Sequence, residues 1–292
     1  MLNSDVVDIV ENNCETKSDY GYLENICLDA LKYEVMAWPK PGLVSPVDSG
    51  SHQDMHLGTF FSSIDALKGS FAAMARAGYL GQSFSSLQAI GIEAERNMLK
   101  ATGGINTHRG AIFNLGLLVA ANAKRMSDQS LSNLECGAVV AKIWGADILS
   151  GRDKSSASHG NQVFNKFAAG GARMEAALGF PSLYHIGLPA LRRHLQAGYD
   201  RETALIGTLM DLMEHLPDTN LLWRGGAAGL DFVRRAATDF NRSGGVETAA
   251  WQKRILALHR EFISRNLSPG GSADLVAATW AAHQFESLIT LK

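Results

Sequence analysis

The stretch Thr102-Gly-Gly-Ile-Asn106-Thr-His108-Arg109-Gly110-Ala111-Ile-Phe-Asn114-Leu-Gly-Leu-Leu-Val-Ala-Ala-Asn-Ala123 governs how the rest of the chain is read. Its second half is the longest apolar run in the sequence, yet it is interrupted by Asn114 and too short to span a bilayer, so it reads as a helix inside a protein core. Its first half sets Thr102, Asn106, Thr107, His108 and Arg109 between glycines and joins them directly to that helix. One threonine or asparagine is explained as a cap; five polar side chains are not. A helix N-terminus offers unpaired N–H groups and partial positive charge, which suits an anion. Thr102, Asn106 and Arg109 are therefore expected to contact a phosphate or nucleotide group, with His108 beside them and Glu93, Glu95 and Lys100 on the preceding helix.

Outward from this stretch the apolar period stays helical. Leu23, Ile26, Cys27, Ala30, Leu31 and Val35 mark one face of a helix that must stop before Pro39 and Pro41. Phe60, Phe61, Ile64, Leu67, Phe71, Met74 and Ala75 predict a second, ending at Gly78 as a C′ glycine. Further helical patterns cover roughly 86–100, 110–125, 133–149, 161–178, 185–197, 201–216, 226–240, 249–265 and 272–290. Sustained period-two alternation is absent, which predicts an all-α fold. The expected organisation is a flexible acidic leader over residues 1–20 and a single large multi-helix catalytic domain over 21–292, with glycine-rich polar loops forming the active site.

Composition narrows the function class. Hydrophobic residues make up 46% and charged residues 19%, an ordinary globular balance. With 27 basic and 29 acidic residues and no basic block, nucleic acid is not an expected partner, and neither is a membrane. Cys14, Cys27 and Cys136 are dispersed, and the N-terminus carries acidic residues where a secretory signal needs basic ones, so a cytoplasmic location is expected. The histidines lack zinc spacing, and neither Walker nor dinucleotide-binding glycine motifs occur.

The remaining chemistry sits on the connections. Gly-Gly pairs recur at 103–104, 170–171, 225–226, 244–245 and 270–271, mostly before helical runs. Lys40 lies between Pro39 and Pro41, which suits a fixed point charge aimed at phosphate, and Gly42, Asp48, His52 and Asp54 follow on the same stiff loop. Arg173 and Glu175 follow Gly170-Gly171, with a solvated ion pair as the plain alternative. Asp218, Thr219 and Asn220 are oxygen donors suited to a hard cation, and Arg224 before Gly225-Gly226 suits a phosphate. Ser268, Gly270, Gly271, Ser272 and Asp274 repeat the arrangement before the last helix, where simple capping by Ser272 and Asp274 competes with a site.

In order, Pro39-Lys-Pro-Gly-Leu-Val44, Gly50-Ser-His-Gln-Asp-Met55, Thr102-Gly-Gly-Ile-Asn-Thr-His108, Gly171-Ala-Arg-Met-Glu175, Asp218-Thr-Asn220 with Arg224-Gly-Gly226, and Asn266-Leu-Ser-Pro-Gly-Gly-Ser-Ala-Asp274 resemble the triphosphoribosyl-dephospho-CoA synthase family from about residue 22 to 290. Val44 to His52 and Asp218 to Leu222 look more like its malonate decarboxylase branch than its citrate lyase branch. Gln53 replaces the commoner basic residue of that pattern. The resemblance implies a transferase in which the 2′-hydroxyl of 3′-dephospho-CoA attacks C1 of the ATP ribose and adenine leaves. Such chemistry needs a carboxylate, a proton donor and positive charge around the triphosphate. It implies that Lys40, Arg109, Arg173 and Arg224 with the Gly-Gly loops hold phosphates. His52 and His108 protonate adenine or bind phosphate, and Asp54, Glu95, Asp218 and Asp274 serve as base or, for the first three, as Mg²⁺ ligands. The product would pass to a phosphoribosyl-dephospho-CoA transferase, and a homo-oligomer is left open. The alternatives are a helical ATP-dependent phosphotransferase and a non-enzymatic nucleotide-binding scaffold.

Overall fold

A computed structural model describes residues 4–150 and 170–288, with side chains from residue 20 onward. Among the described residues there are twelve α-helices and no strand, as the periodicity predicts. They are α1 (Ser4–Met36), α2 (Leu57–Ala66), α3 (Ser70–Tyr79), α4 (Phe84–Ala101), α5 (Arg109–Ser127), α6 (Cys136–Ser150), α7 (Gly171–Ala177), α8 (Leu188–Gln196), α9 (Arg201–His215), α10 (Thr219–Arg242), α11 (Trp251–Ser264) and α12 (Gly270–Ser287). The first half of the helical run expected over 161–178, residues 161–169, lies outside the described residues.

Helix α5 is the axis. Leu115, Leu118, Val119, Ala120, Ala121 and Ala123 are fully buried, and α3 and α12 pack most extensively against it. The α3 contact is close because of Gly78. A Cβ there would lie 2.1 Å from the Ala120 carbonyl oxygen. The expectation that Gly78 ends a helix as its C′ residue is thus corrected: it lies inside α3, and Gly81 (φ +66°) follows the helix instead. The single run expected over Phe60 to Gly78 also divides, because Gly69 turns left-handed (φ +87°) between α2 and α3. Helix α10 begins earlier than the apolar pattern indicated and is broken at Gly226 (φ 60°, ψ −162°).

At the far end of α5, Arg125 is buried against Glu286 (Nη1–Oε2 2.6 Å). Glu286 Oε1 accepts from the Tyr184 hydroxyl at 2.9 Å and the Cys136 N–H at 3.1 Å. This buried polar network joins α5, α6 and α12 and leaves the opposite, N-terminal end of α5 as the pole where the glycine-rich connections meet.

Candidate active site

Three connections distant in sequence are knotted together by directed hydrogen bonds. Arg224 donates to the Ser51 carbonyl (2.9 Å), to Asn266 Oδ1 (2.8 Å) and to His52 Nδ1 (3.0 Å). Arginine can only donate, so His52 Nδ1 must be bare and its proton sits on Nε2, which donates to Ser268 Oγ at 2.8 Å. Burial, and then the Arg224 charge, lower the His52 pKa to about 4. Ser51 Oγ donates to the Leu267 carbonyl at 2.6 Å, and Gly42 (φ +69°) lies so close that a Cβ would be 2.2 Å from that same oxygen. His259 completes the junction, with Nε2 3.0 Å from Asp48 Oδ2 and Nδ1 2.8 Å from the Lys40 carbonyl.

Beneath this junction lies a buried acidic group. Asp218 caps α10 through Oδ1, which accepts from Asn220 N–H (2.9 Å) and Leu221 N–H (3.4 Å). Its Oδ2 accepts from Ser272 N–H (2.8 Å) and Ser272 Oγ (3.0 Å), so the same carboxylate also holds the start of α12. Burial outweighs these bonds and leaves Asp218 above its ordinary pKa. Asp274, one turn on, accepts from the Ala111 N–H at the start of α5. Its pKa is pushed well up, first by burial and then by the facing carboxylates of Glu34 and Asp218. Glu34 in turn takes the Lys40 ammonium on Oε1 at 2.6 Å, both side chains being buried. His108 is buried beside them. Its Nδ1 is 2.7 Å from Ser63 Oγ, while burial and the nearby Lys40 charge lower its pKa to about 3. Its Nε2 and the Thr107 hydroxyl are buried with no hydrogen-bond partner.

Most of the expected site residues have partners within the protein. The Lys40 ammonium is buried against Glu34, and Arg224 directs its donors to the loop junction. The N-terminus formed by Gly270 and Gly271 is filled by the chain itself: a Cβ on Gly271 would meet Asp218 Oδ1 at 3.0 Å, and one on Gly270 would meet Asn220 Nδ2 at 2.8 Å. Gly225 packs against Leu267, where a Cβ would meet Cδ2 at 2.5 Å. Thr102 closes α4 by donating to the Met98 and Ile105 carbonyls (2.9 and 2.6 Å), and Asn106 Oδ1 accepts from the Arg109 N–H at 3.1 Å. Of the five polar residues, then, ordinary local bonding accounts for Thr102 and Asn106, and Arg109 pairs with Glu95 (Nε–Oε2 2.9 Å) at the surface. Thr107 and His108 remain unexplained. With pKa values lowered to about 4 and about 3, His52 and His108 are neutral near pH 7.

Arg173 and Glu175 diverge. Arg173 donates to the Ile148 carbonyl at 3.1 Å, whereas Glu175 grips Ser182 through its N–H (3.0 Å) and hydroxyl (2.7 Å). Asp54 is exposed, 3.8 Å from His52 Nδ1. The expected metal set of Asp54, Glu95 and Asp218 is not assembled: among the described residues, no three Asp, Glu, His or Cys side chains are grouped so as to hold a metal ion. That donor geometry does not fit an all-protein Mg²⁺ site.

Sequence reasoning missed Glu34, Ser63 and His259. Glu34 carried a signal, because it falls four residues after Ala30 and seven after Cys27, a charge on the apolar stripe. Ser63 and His259 carried none, since their partners lie 45 and 211 residues away.

The chain is similar to proteins of known name over almost its whole length. The family model described as ATP:dephospho-CoA triphosphoribosyl transferase matches residues 21–291. A protein of Pectobacterium atrosepticum named 2-(5''-triphosphoribosyl)-3'-dephosphocoenzyme-A synthase is 40% identical over 271 residues, covering 88% of this chain and 86% of its own. One of Acinetobacter calcoaceticus, named "Probable 2-(5''-triphosphoribosyl)-3'-dephosphocoenzyme-A synthase", is 36% identical over 272 residues, covering 91% and 93%. No solved structure matches.

Proposed function

Because the chain belongs to the ATP:dephospho-CoA triphosphoribosyl transferase family, we propose that it makes 2′-(5″-triphosphoribosyl)-3′-dephospho-CoA from ATP and 3′-dephospho-CoA with release of adenine. The observation that carries the mechanism is Asp274, a carboxyl whose pKa is driven well up at the pole where the polar connections meet. A carboxyl group with a raised pKa holds its proton to higher pH, which suits a donor to a departing purine. The 2′-oxygen of dephospho-CoA bonds to C1 of the ATP ribose and the C1–N bond to adenine breaks. The bond pair leaves with adenine, which takes the Asp274 proton. Glu34, the facing carboxylate, accepts the proton of the attacking hydroxyl, and exchange between the two restores Asp274. His108 Nε2 and Thr107 Oγ1, buried without partners, are assigned to adenine or ribose. Asp218 is assigned to holding α10 and α12 rather than to the base role. Arg109, 45% exposed at the rim, is assigned to phosphate. Magnesium is assigned to the triphosphate itself, bound as it arrives.

Incubation with ATP, Mg²⁺ and dephospho-CoA, followed by mass analysis, tests the reading. Adenine and the triphosphoribosyl adduct are the expected products. ADP would support the phosphotransferase instead, and absence of both products would remove the assignment. The malonate decarboxylase branch, favoured by Val44 to His52 and Asp218 to Leu222, and a hand-off to a phosphoribosyl-dephospho-CoA transferase belong to the same proposal. So does a catalytic domain starting at residue 21, which the matched range supports. A cytoplasmic setting is supported by the free, buried Cys27 and Cys136. No helix among the described residues is long and apolar enough to cross a membrane.

A further inference from the structure

A cavity of about 160 Å³ opens between α4 and α5, apart from the buried acidic group. Leu87, Gly91 and Glu95 line it from α4, Phe113 and Leu117 from α5, and Arg173 faces it from α7. Two features separate it from a packing defect. Helix α4 contributes at every turn from Phe84 to Glu95, a stripe about 16 Å long at 1.5 Å per residue. Its polar end is Glu95, which pairs with Arg109 in the first turn of α5, and the slot runs from there along the same helix past Ile112 to Leu117. Ile92, on that stripe, is 44% exposed. The walls are apolar, with Gln88, Glu95 and Arg173 as isolated polar points. This composition suits a thin chain that alternates methylene groups with amides.

Resting on the proposed reaction, we infer that this slot binds the pantetheine arm of dephospho-CoA. Dephospho-CoA is an adenosine diphosphate bearing that arm, and its pyrophosphate would lie at Arg109 while the arm extends between α4 and α5. The length of the stripe and the position of the cation at its open end both fit a ligand with an anionic head and an extended amide tail. ATP has no such tail, so the slot would separate acceptor from donor.

Gly91 gives a clean test, because a Cβ there meets only Met74 Cε at an ordinary 3.7 Å. Gly91→Leu fills the slot and improves helix propensity, so the fold is retained; Gly91→Ala is the milder control. The expected result for Gly91→Leu is a KM for dephospho-CoA raised at least tenfold, a KM for ATP within twofold of the parent and an undiminished Tm. Free pantetheine should inhibit the parent competitively against dephospho-CoA and at least tenfold more weakly in the variant. An unchanged KM for dephospho-CoA, or equal rises for both substrates, would overturn the inference. If the parent protein released no adenine, the proposed reaction would fail. Calorimetric titration of pantetheine into parent and Gly91→Leu would then still decide the slot, with equal affinities counting against it.

Discussion

Replacing Asp218 separates a structural carboxylate from a chemical one. In Asp218→Ala, α10 loses its cap, worth about 1 kcal/mol, and the buried Ser272 N–H loses its acceptor, worth about 1 to 3 kcal/mol. The Ser272 hydroxyl also loses its acceptor, so a total of roughly 2 to 5 kcal/mol is expected. At about 2 to 4 °C per kcal/mol for a chain of this size, Tm should fall by roughly 5 to 15 °C. Asp218→Asn keeps an oxygen for α10 but turns an NH₂ toward the Ser272 N–H, so its loss should be intermediate. Urea denaturation gives the stability, and adenine release measured well below each variant's Tm gives kcat for folded protein. The expected pattern is a large stability loss with kcat for Asp218→Asn within tenfold of the parent. Full stability with kcat reduced a thousandfold would refute the capping role and make Asp218 the base.

Asp274→Asn should reduce kcat by about 10²- to 10⁴-fold, roughly 2.7 to 5.5 kcal/mol, and abolish the alkaline fall in the parent's pH–rate profile. Because the folded pKa of Asp274 is raised by burial and by the facing carboxylates, its contribution to stability is complete at low pH and is lost as pH rises from the ordinary carboxylate range toward the raised value; the Asn variant should therefore gain on the parent as pH rises above about 4 in urea titrations. His108 runs the other way: with a folded pKa of about 3, its contribution is present above pH 6.5 and should fall by about 2 kcal/mol by pH 5, a dependence His108→Gln should lack. Glu286→Gln leaves the buried Arg125 without its counter-ion and should cost about 3 to 5 kcal/mol by urea denaturation, with KM values unchanged. Gly78→Ala forces α3 from α5 and should cost about 1 to 3 kcal/mol, read as a lower Tm.

The helices were legible because burying one face imposes the 3.6-residue period directly on residues such as Leu23 to Val35. The errors arose where a glycine acts through a neighbour that local sequence does not name. Gly78 reads equally well as a cap or as a helix contact until Ala120 is seen against it. The same limit applies to the site. The residue types at 40, 108, 218 and 274 pointed to one pole, and the structure brings them there. Their division of labour did not follow, because Asp218 finds Ser272 across 54 residues and Arg224 finds His52 across 172. Polarity marks where a site lies, whereas bonding partners decide which polar groups are already engaged.

The two carboxylates seated at the starts of α5 and α12 also constrain how this protein can vary. Every substitute for Asp218 loses stability while Ser272 presents its donors, and Gly110 can accept no side chain while Asp274 keeps its place, since a Cβ there would fall 2.0 Å from Oδ2. Within each pair, a change at one residue removes the fit or the bond of the other. A substitution at 110 or 274, or at 218 or 272, is therefore felt at its partner on another helix, whereas the Arg109–Glu95 pair at the surface leaves the packing of these helices untouched.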